Sequence, residues 1–88
     1  MKLHPLPRVT DFKEEIDALK KQAKIKGEPY IEIVALELHK RLGMPAGNHR
    51  MATCCDAMYA MMINERGDHI ISAPPKGKGS TLTIRYNL

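Results

Sequence analysis

The chain has 88 residues, enough for one modest core, because a chain of this length buries only about 60–68% of the surface its unfolded form exposes; a doubly wound nucleotide fold, a barrel enzyme and a two-domain cleft are excluded. Apolar residues make up 43% and charged residues 27%, values of a globular chain rather than a disordered or membrane-spanning one. Fourteen Lys and Arg against ten Asp and Glu give a formal charge of +4, which favours a polyanionic partner, while one Phe, three Tyr and no Trp leave few platforms for stacking the bases of a single strand.

Residues 1–9 read as a short extension. Its Pro-containing, charged start (Leu3-His4-Pro5-Leu6-Pro7-Arg8) carries no apolar run of signal-peptide length, and with the cysteines discussed below it sets the expectation of a cytoplasmic protein. Residues 10–88 form the domain. The first helix is expected from Thr10 to Lys26, with Thr10 or Asp11 as N-cap and Asp11 and Glu14 at capping-box spacing. Phe12, Ile16, Leu19 and Ala23 recur on one face. Acids in the first turns and lysines in the last (Lys20, Lys21, Lys24, Lys26) complement the helix dipole, and Gly27 ends the helix.

Pro29 suits the first turn of a second helix reaching Leu42, with Tyr30, Val34 and Leu38 on one face. Ile31 and Ile33 alternate with acids, so a short strand at its start is the alternative. Gly43 is placed to cap this helix, and Met44-Pro45-Ala46-Gly47-Asn48 is a turn rich in helix breakers. A third helix is expected from Asn48 to Ile63. Met51, one of Cys54 and Cys55, Met58, and Met61 or Met62 form its apolar stripe, with Arg50, Thr53, Asp56, Ala57 and Ala60 on the other side. The period then changes to two. His69–Ala73 and Thr81–Tyr86 read as strands joined by the loop Pro74-Pro75-Lys76-Gly77-Lys78-Gly79-Ser80, with Leu82, Ile84 and Tyr86 on one face.

Helix, helix, turn, helix and hairpin, in this order and at these lengths over Thr10 to Tyr86, resemble the winged helix-turn-helix family. The resemblance implies an α+β fold, a three-helix winged helix-turn-helix with a C-terminal β-hairpin wing. In that family the helix after the turn enters the major groove and the wing touches backbone or minor groove. The resemblance therefore casts Ile31–Leu42 as supporting helix, Asn48–Ile63 as recognition helix and Ile70–Tyr86 as wing, and implies a partner of double-stranded DNA.

The residues fit those roles by type. Asn48, His49, Arg50 and Thr53 are the expected base-reading side chains, since Arg and Asn pair bidentately with guanine and adenine edges and Thr meets a thymine methyl. Lys76, Lys78 and Arg85, with Lys40 and Arg41 at the end of the second helix, are the expected backbone contacts. No acid occurs from Ile70 to Leu88, and Gly77 and Gly79 permit close approach of the loop to a phosphate. Asp56, on the same helical face, opposes a phosphate unless it pairs with Arg50 or a nearby lysine. A glycine-lysine tip is also an ordinary soluble loop, and a docking module for another protein, on the same fold and without direct DNA contact, is the rival function.

Other chemistries find less support. The fragment Gly77-Lys78-Gly79-Ser80-Thr81 lacks the upstream glycine, the Gly-Lys-Ser/Thr run and the following helix of a phosphate-binding P-loop. Cys54 and Cys55 are adjacent, unsuited to a mutual bridge or to pairing on one zinc ion, and His4, His39, His49 and His69 are scattered. No metal, cofactor or enzymatic activity is expected. One cysteine is expected in the core and the other at its boundary, and the methionines as adaptable core filler. The oligomeric state is left open by the sequence.

Overall fold

The computed structural model describes residues 8–42 and 50–88. Within them lie helices α1 (Val9–Ile25), α2 (Ala35–Arg41) and α3 (Met51–Ala60), and strands β1 (Tyr30–Val34), β2 (His69–Ser72) and β3 (Thr83–Asn87). The strands form one antiparallel sheet in the order β1-β3-β2. The fold is therefore α+β, with the helices on one face of a three-stranded sheet.

Helix α1 begins one residue before Thr10. Asp11 acts from inside the first turn rather than as N-cap, its Oδ2 accepting the Arg8 N–H at 2.8 Å. At the other end the Glu28 N–H reaches the Ala23 carbonyl and the Gly27 N–H the Lys24 carbonyl, both at 3.0 Å. This Schellman arrangement needs a left-handed residue, and Gly27 supplies it at φ +82°. Phe12 and Ile16 are fully buried and Ala23 nearly so, with Leu19 packed against the same core.

The second helix is shorter than its periodicity predicts. Tyr30–Val34 is a strand, paired from Tyr30↔Asn87 to Val34↔Thr83, and only Ala35–Arg41 is helical. The alternation of Ile31 and Ile33 with acids was the pertinent signal. Pairing with β3 places Ile33 against Ile84 and Ile31 against Tyr86, which a helix over these residues forgoes. Helix α2 then starts at once, because the Ala35 N–H donates to the Leu82 carbonyl at 2.8 Å and the Leu36 N–H to the Ser80 carbonyl at 3.1 Å. Two orphan donors of its first turn are thus satisfied by the chain entering β3 rather than by a capping side chain.

Helix α3 ends at Ala60 rather than Ile63. Cys54, Cys55, Ala57 and Met58 are all buried, so Ala57 belongs to the core face, not the outer one, and both cysteines are interior. The connection to β2 is tied by Asp68, itself buried. One carboxylate oxygen accepts the Ile63 N–H at 2.9 Å and the other the Asn87 N–H at 2.7 Å, joining the end of α3 to β3. Opposite β1, the C-terminal hairpin is β2 and β3, irregular where Ile71 bulges between Ile70↔Ile84 and Ser72↔Thr83. Leu82, Ile84 and Tyr86 do share the core face and are fully buried. The pieces named as turn Gly43–Asn48 and most of the extension lie outside the described residues. Among the described residues no helix is long and apolar enough to cross a membrane.

Two side chains in this core are polar and lend themselves to test. The Tyr86 hydroxyl donates to the Met58 carbonyl at 2.6 Å, fixing β3 to α3. Tyr86→Phe keeps the ring and orphans that acceptor, so the urea midpoint should fall by the equivalent of about 1–2 kcal/mol with an unchanged denaturant slope. His39 is buried with its ring stacked on Phe12 at 6.2 Å between centroids, and burial lowers its pKa from 6.5. The neutral imidazole is favoured in the folded chain. Its contribution to stability is therefore complete above about pH 6.5 and is lost as the pH falls from there toward the folded-state value. Denaturant titrations between about pH 7.5 and 5.5 should show that decline, and His39→Leu should flatten it.

Candidate nucleic-acid interface

The outer surface of α3 is set by what its inner face buries. With Cys54, Cys55, Ala57 and Met58 turned inward, Ala52, Asp56 and Ala60 form the exposed stripe, flanked by half-buried Thr53 and Tyr59. Arg50 stands half-buried at the start of the helix. Asn48 and His49, the two other expected base readers, lie outside the described residues.

The β2–β3 loop does not project as an isolated tip. It lies along α3 and is bonded to it over one helical turn. The Tyr59 hydroxyl donates to the Gly77 carbonyl. The Cys55 thiol donates to the Gly79 carbonyl at 3.4 Å and accepts the Gly79 N–H at 3.3 Å. Residues 55 and 59 are neighbours on a helix face at i, i+4 spacing, and a loop strand laid along that face meets both. Gly77 has a left-handed φ of +85°, and a Cβ there stands 3.7 Å from the Tyr59 hydroxyl oxygen. The glycine is required by the turn, and the close approach is at Gly79, where a Cβ would stand 3.1 Å from the Pro74 ring of the same loop.

The cations fall into distinct environments. Lys78 Nζ sits 2.5 Å from Asp56 Oδ1, and this hydrogen bond raises its pKa. Lys76 is exposed and makes no ion pair among the described residues. Arg85 lies on the sheet face opposite the core, since its neighbours Ile84 and Tyr86 point inward. Its Nε and Nη2 donate to Glu32 Oε2 at 2.9 and 2.5 Å, and its guanidinium covers the Tyr30 ring at 4.0 Å. Arg41 donates from Nε to Glu15 Oε2 at 2.6 Å. Lys40 is exposed beside it. The structure thus brings Arg50, Thr53, Lys76 and Lys78 to one side, around α3 and the loop, and holds Arg85 apart on the far face of the sheet.

Compared with known proteins, the chain matches no family model, no curated protein and no solved structure.

The residues that sequence reasoning missed are Cys55 and Tyr59 as the seat of the loop, whereas the pairing of Asp56 with a lysine was one of its alternatives and Lys78 is that lysine. The i, i+4 spacing of Cys55 and Tyr59 was visible, but nothing local says that a loop some twenty residues later lies across it. The thiols themselves are sequestered. Burial and the neighbouring Cys55 push the Cys54 thiol up to about 12, and burial also raises Cys55, against the opposing effect of the Gly79 N–H. Among the described residues no three His, Cys, Asp or Glu side chains converge on a metal position. A thiolate is the reactive form, so a disulfide reagent at pH 8 should find neither cysteine in the native chain within minutes and both after unfolding in guanidinium. Rapid native labelling of either thiol would contradict this arrangement.

Proposed function

We propose that the chain is a winged-helix module that binds double-stranded DNA, as a regulator or as the DNA-targeting part of an assembly. Three helices followed by an antiparallel hairpin, with β1 completing the sheet, are compatible with that family. The observation that carries the proposal is the seating of the β2–β3 loop on α3 through Tyr59–Gly77 and Cys55–Gly79. It makes helix and wing one surface, with Lys76 and Lys78 beside the helix that carries Arg50 and Thr53. It also answers the one adverse charge on that helix, because Lys78 neutralises Asp56.

Binding on this surface is led by phosphate neutralisation from Lys76 and Lys40, with a smaller part for Lys78 while Asp56 holds it, and base contacts are limited to Arg50, Thr53 and the segment carrying Asn48 and His49. Specificity is correspondingly modest, since Ala52 and Ala60 offer only methyl groups to a base edge. Arg85 and Arg41, each already held by a glutamate, contribute less than their charge suggests.

Exposure of Ile70 and Ile71, 42% and 44% accessible on the outer strand β2, favours a second reading, a docking module without direct DNA contact. Anisotropy titrations of a 20-base-pair duplex at two salt concentrations decide between them. Asp56→Asn removes the adverse charge and releases Lys78, so affinity should rise several-fold and the salt slope steepen by about one unit. Lys76→Ala with Lys78→Ala should weaken all sequences alike. Binding that is absent, or indifferent to salt and to these changes, would sink the DNA proposal.

A further inference from the structure

Apart from the proposed DNA surface, the molecule carries a second cationic feature that neither the fold nor that proposal uses. A groove of about 360 Å³ runs between the C-terminal half of α1 and the segment following α3. Lys20 and Lys24, one turn apart on α1, line it together with Arg66, Asp17 and the apolar side chains of Met61, Ile63 and Leu88. Lys21, also at the rim, is paired with Asp17 at 3.7 Å. Lys20, Lys24 and Arg66 have no ion-pair partner among the described residues. The nearest buried carboxylate, Asp68, has both oxygens engaged by the backbone N–H groups of Ile63 and Asn87.

Holding cations together costs free energy unless an anion joins them. Lys20 is half-buried, packed over the Tyr86 ring at 4.7 Å; burial above all, then the charge of Arg66, disfavours its protonated form, and the charges of Asp68 and Asp17 offset this only in part. Arg66 is kept in place by its backbone, whose carbonyl accepts the Asn87 side-chain N–H at 2.6 Å. The groove lies at the end of α3, about 15 Å along that helix from Arg50, and adjoins the surface assigned to DNA only at Ala60.

We propose that this groove binds a small amphipathic anion, a phosphate or carboxylate head carried on a short apolar chain. The head is received by Lys20, Lys24 and Arg66, and the chain lies on Met61, Ile63 and Leu88, where Ile63 is 37% exposed. The volume lies at the lower end of the range for small-ligand sites, about 300–1,000 Å³, which suits such a molecule and is too small for a folded partner.

The test is a chemical-shift titration of the whole chain with hexyl phosphate, inorganic phosphate and hexanol. Hexyl phosphate should shift the amides around Lys20, Lys24, Met61, Ile63 and Arg66. It should bind at least about tenfold more tightly than inorganic phosphate, the factor expected from burying two methylene groups. Lys24→Gln with Arg66→Gln, both at exposed positions, should weaken it about tenfold while the unfolding midpoint stays in place. Equal affinity for hexyl phosphate and phosphate, equal affinity for hexanol, shifts confined elsewhere, or indifference to the double change would each overturn the proposal. Displacement by a DNA duplex would overturn it by giving these cations to the DNA backbone, and sedimentation with phosphatidic acid vesicles, lost in the double variant, by giving them to a membrane. Absence of both supports a free ligand and leaves the DNA proposal to its own titration.

Discussion

Strand β3 is hydrogen-bonded along both edges, and the rest of the molecule is arranged by that fact. A strand flanked on both sides has its register set twice, by β1 through Ile33↔Ile84 and by β2 through Ile70↔Ile84. With the side-chain period at two, this commits Leu82, Ile84 and Tyr86 to the helical side and Thr83 and Arg85 to the other. The chain just before β3 also caps α2, through the Leu82 and Ser80 carbonyls, and Tyr86 reaches Met58 on α3. Helices α2 and α3 are thereby positioned against the same short run of chain, residues 80–86.

The candidate interface inherits its shape from this arrangement. Because Leu82 and Ser80 are anchored at α2, the loop that precedes them must leave β2 and cross the surface of α3, where Cys55 and Tyr59 meet it. A hairpin tip that sequence reasoning leaves in solvent becomes a lining of the helix beside it. The same crossing brings Lys78 to Asp56, turning two opposing charges on one surface into a neutral pair. Charge that looks available in the sequence is in part consumed. Arg85, Arg41 and Lys78 each have a carboxylate within hydrogen-bonding distance, so the electrostatic character of the surface rests on fewer groups than the +4 total suggests.

Polar groups inside the core act as ties rather than as chemistry. Asp68 joins α3 to β3 by accepting two backbone N–H groups, and the buried thiols serve as packing and as loop contacts. The raised thiol pKa values follow from the same burial that makes the cysteines good core residues. The sequence reading places one cysteine in the core and the other at its boundary; the structure buries both, and the tie through Asp68 was not foreseen.

Much was legible in the sequence because it rests on local chemistry. The extent of α1, its acid-to-base gradient and its glycine stop, the apolar stripe of α3, and the alternation that turns Leu82, Ile84 and Tyr86 inward all depend on residues a few positions apart. The assignment of Tyr30–Val34 failed because the same five residues satisfy a helical stripe and a strand alternation. Only β3, some fifty residues later, decides between them by supplying hydrogen-bond partners. The pairing of Arg85 with Glu32 and the seat of the loop on α3 are likewise contacts across 18 to 53 positions. Sequence by itself determined the three helical segments, the C-terminal hairpin and the sign of the charge, because propensity, capping and periodicity are short-range. Which cations remain available, and which surface they share, was decided only by tertiary structure, since the carboxylates and carbonyls that claim or position them come from distant parts of the chain.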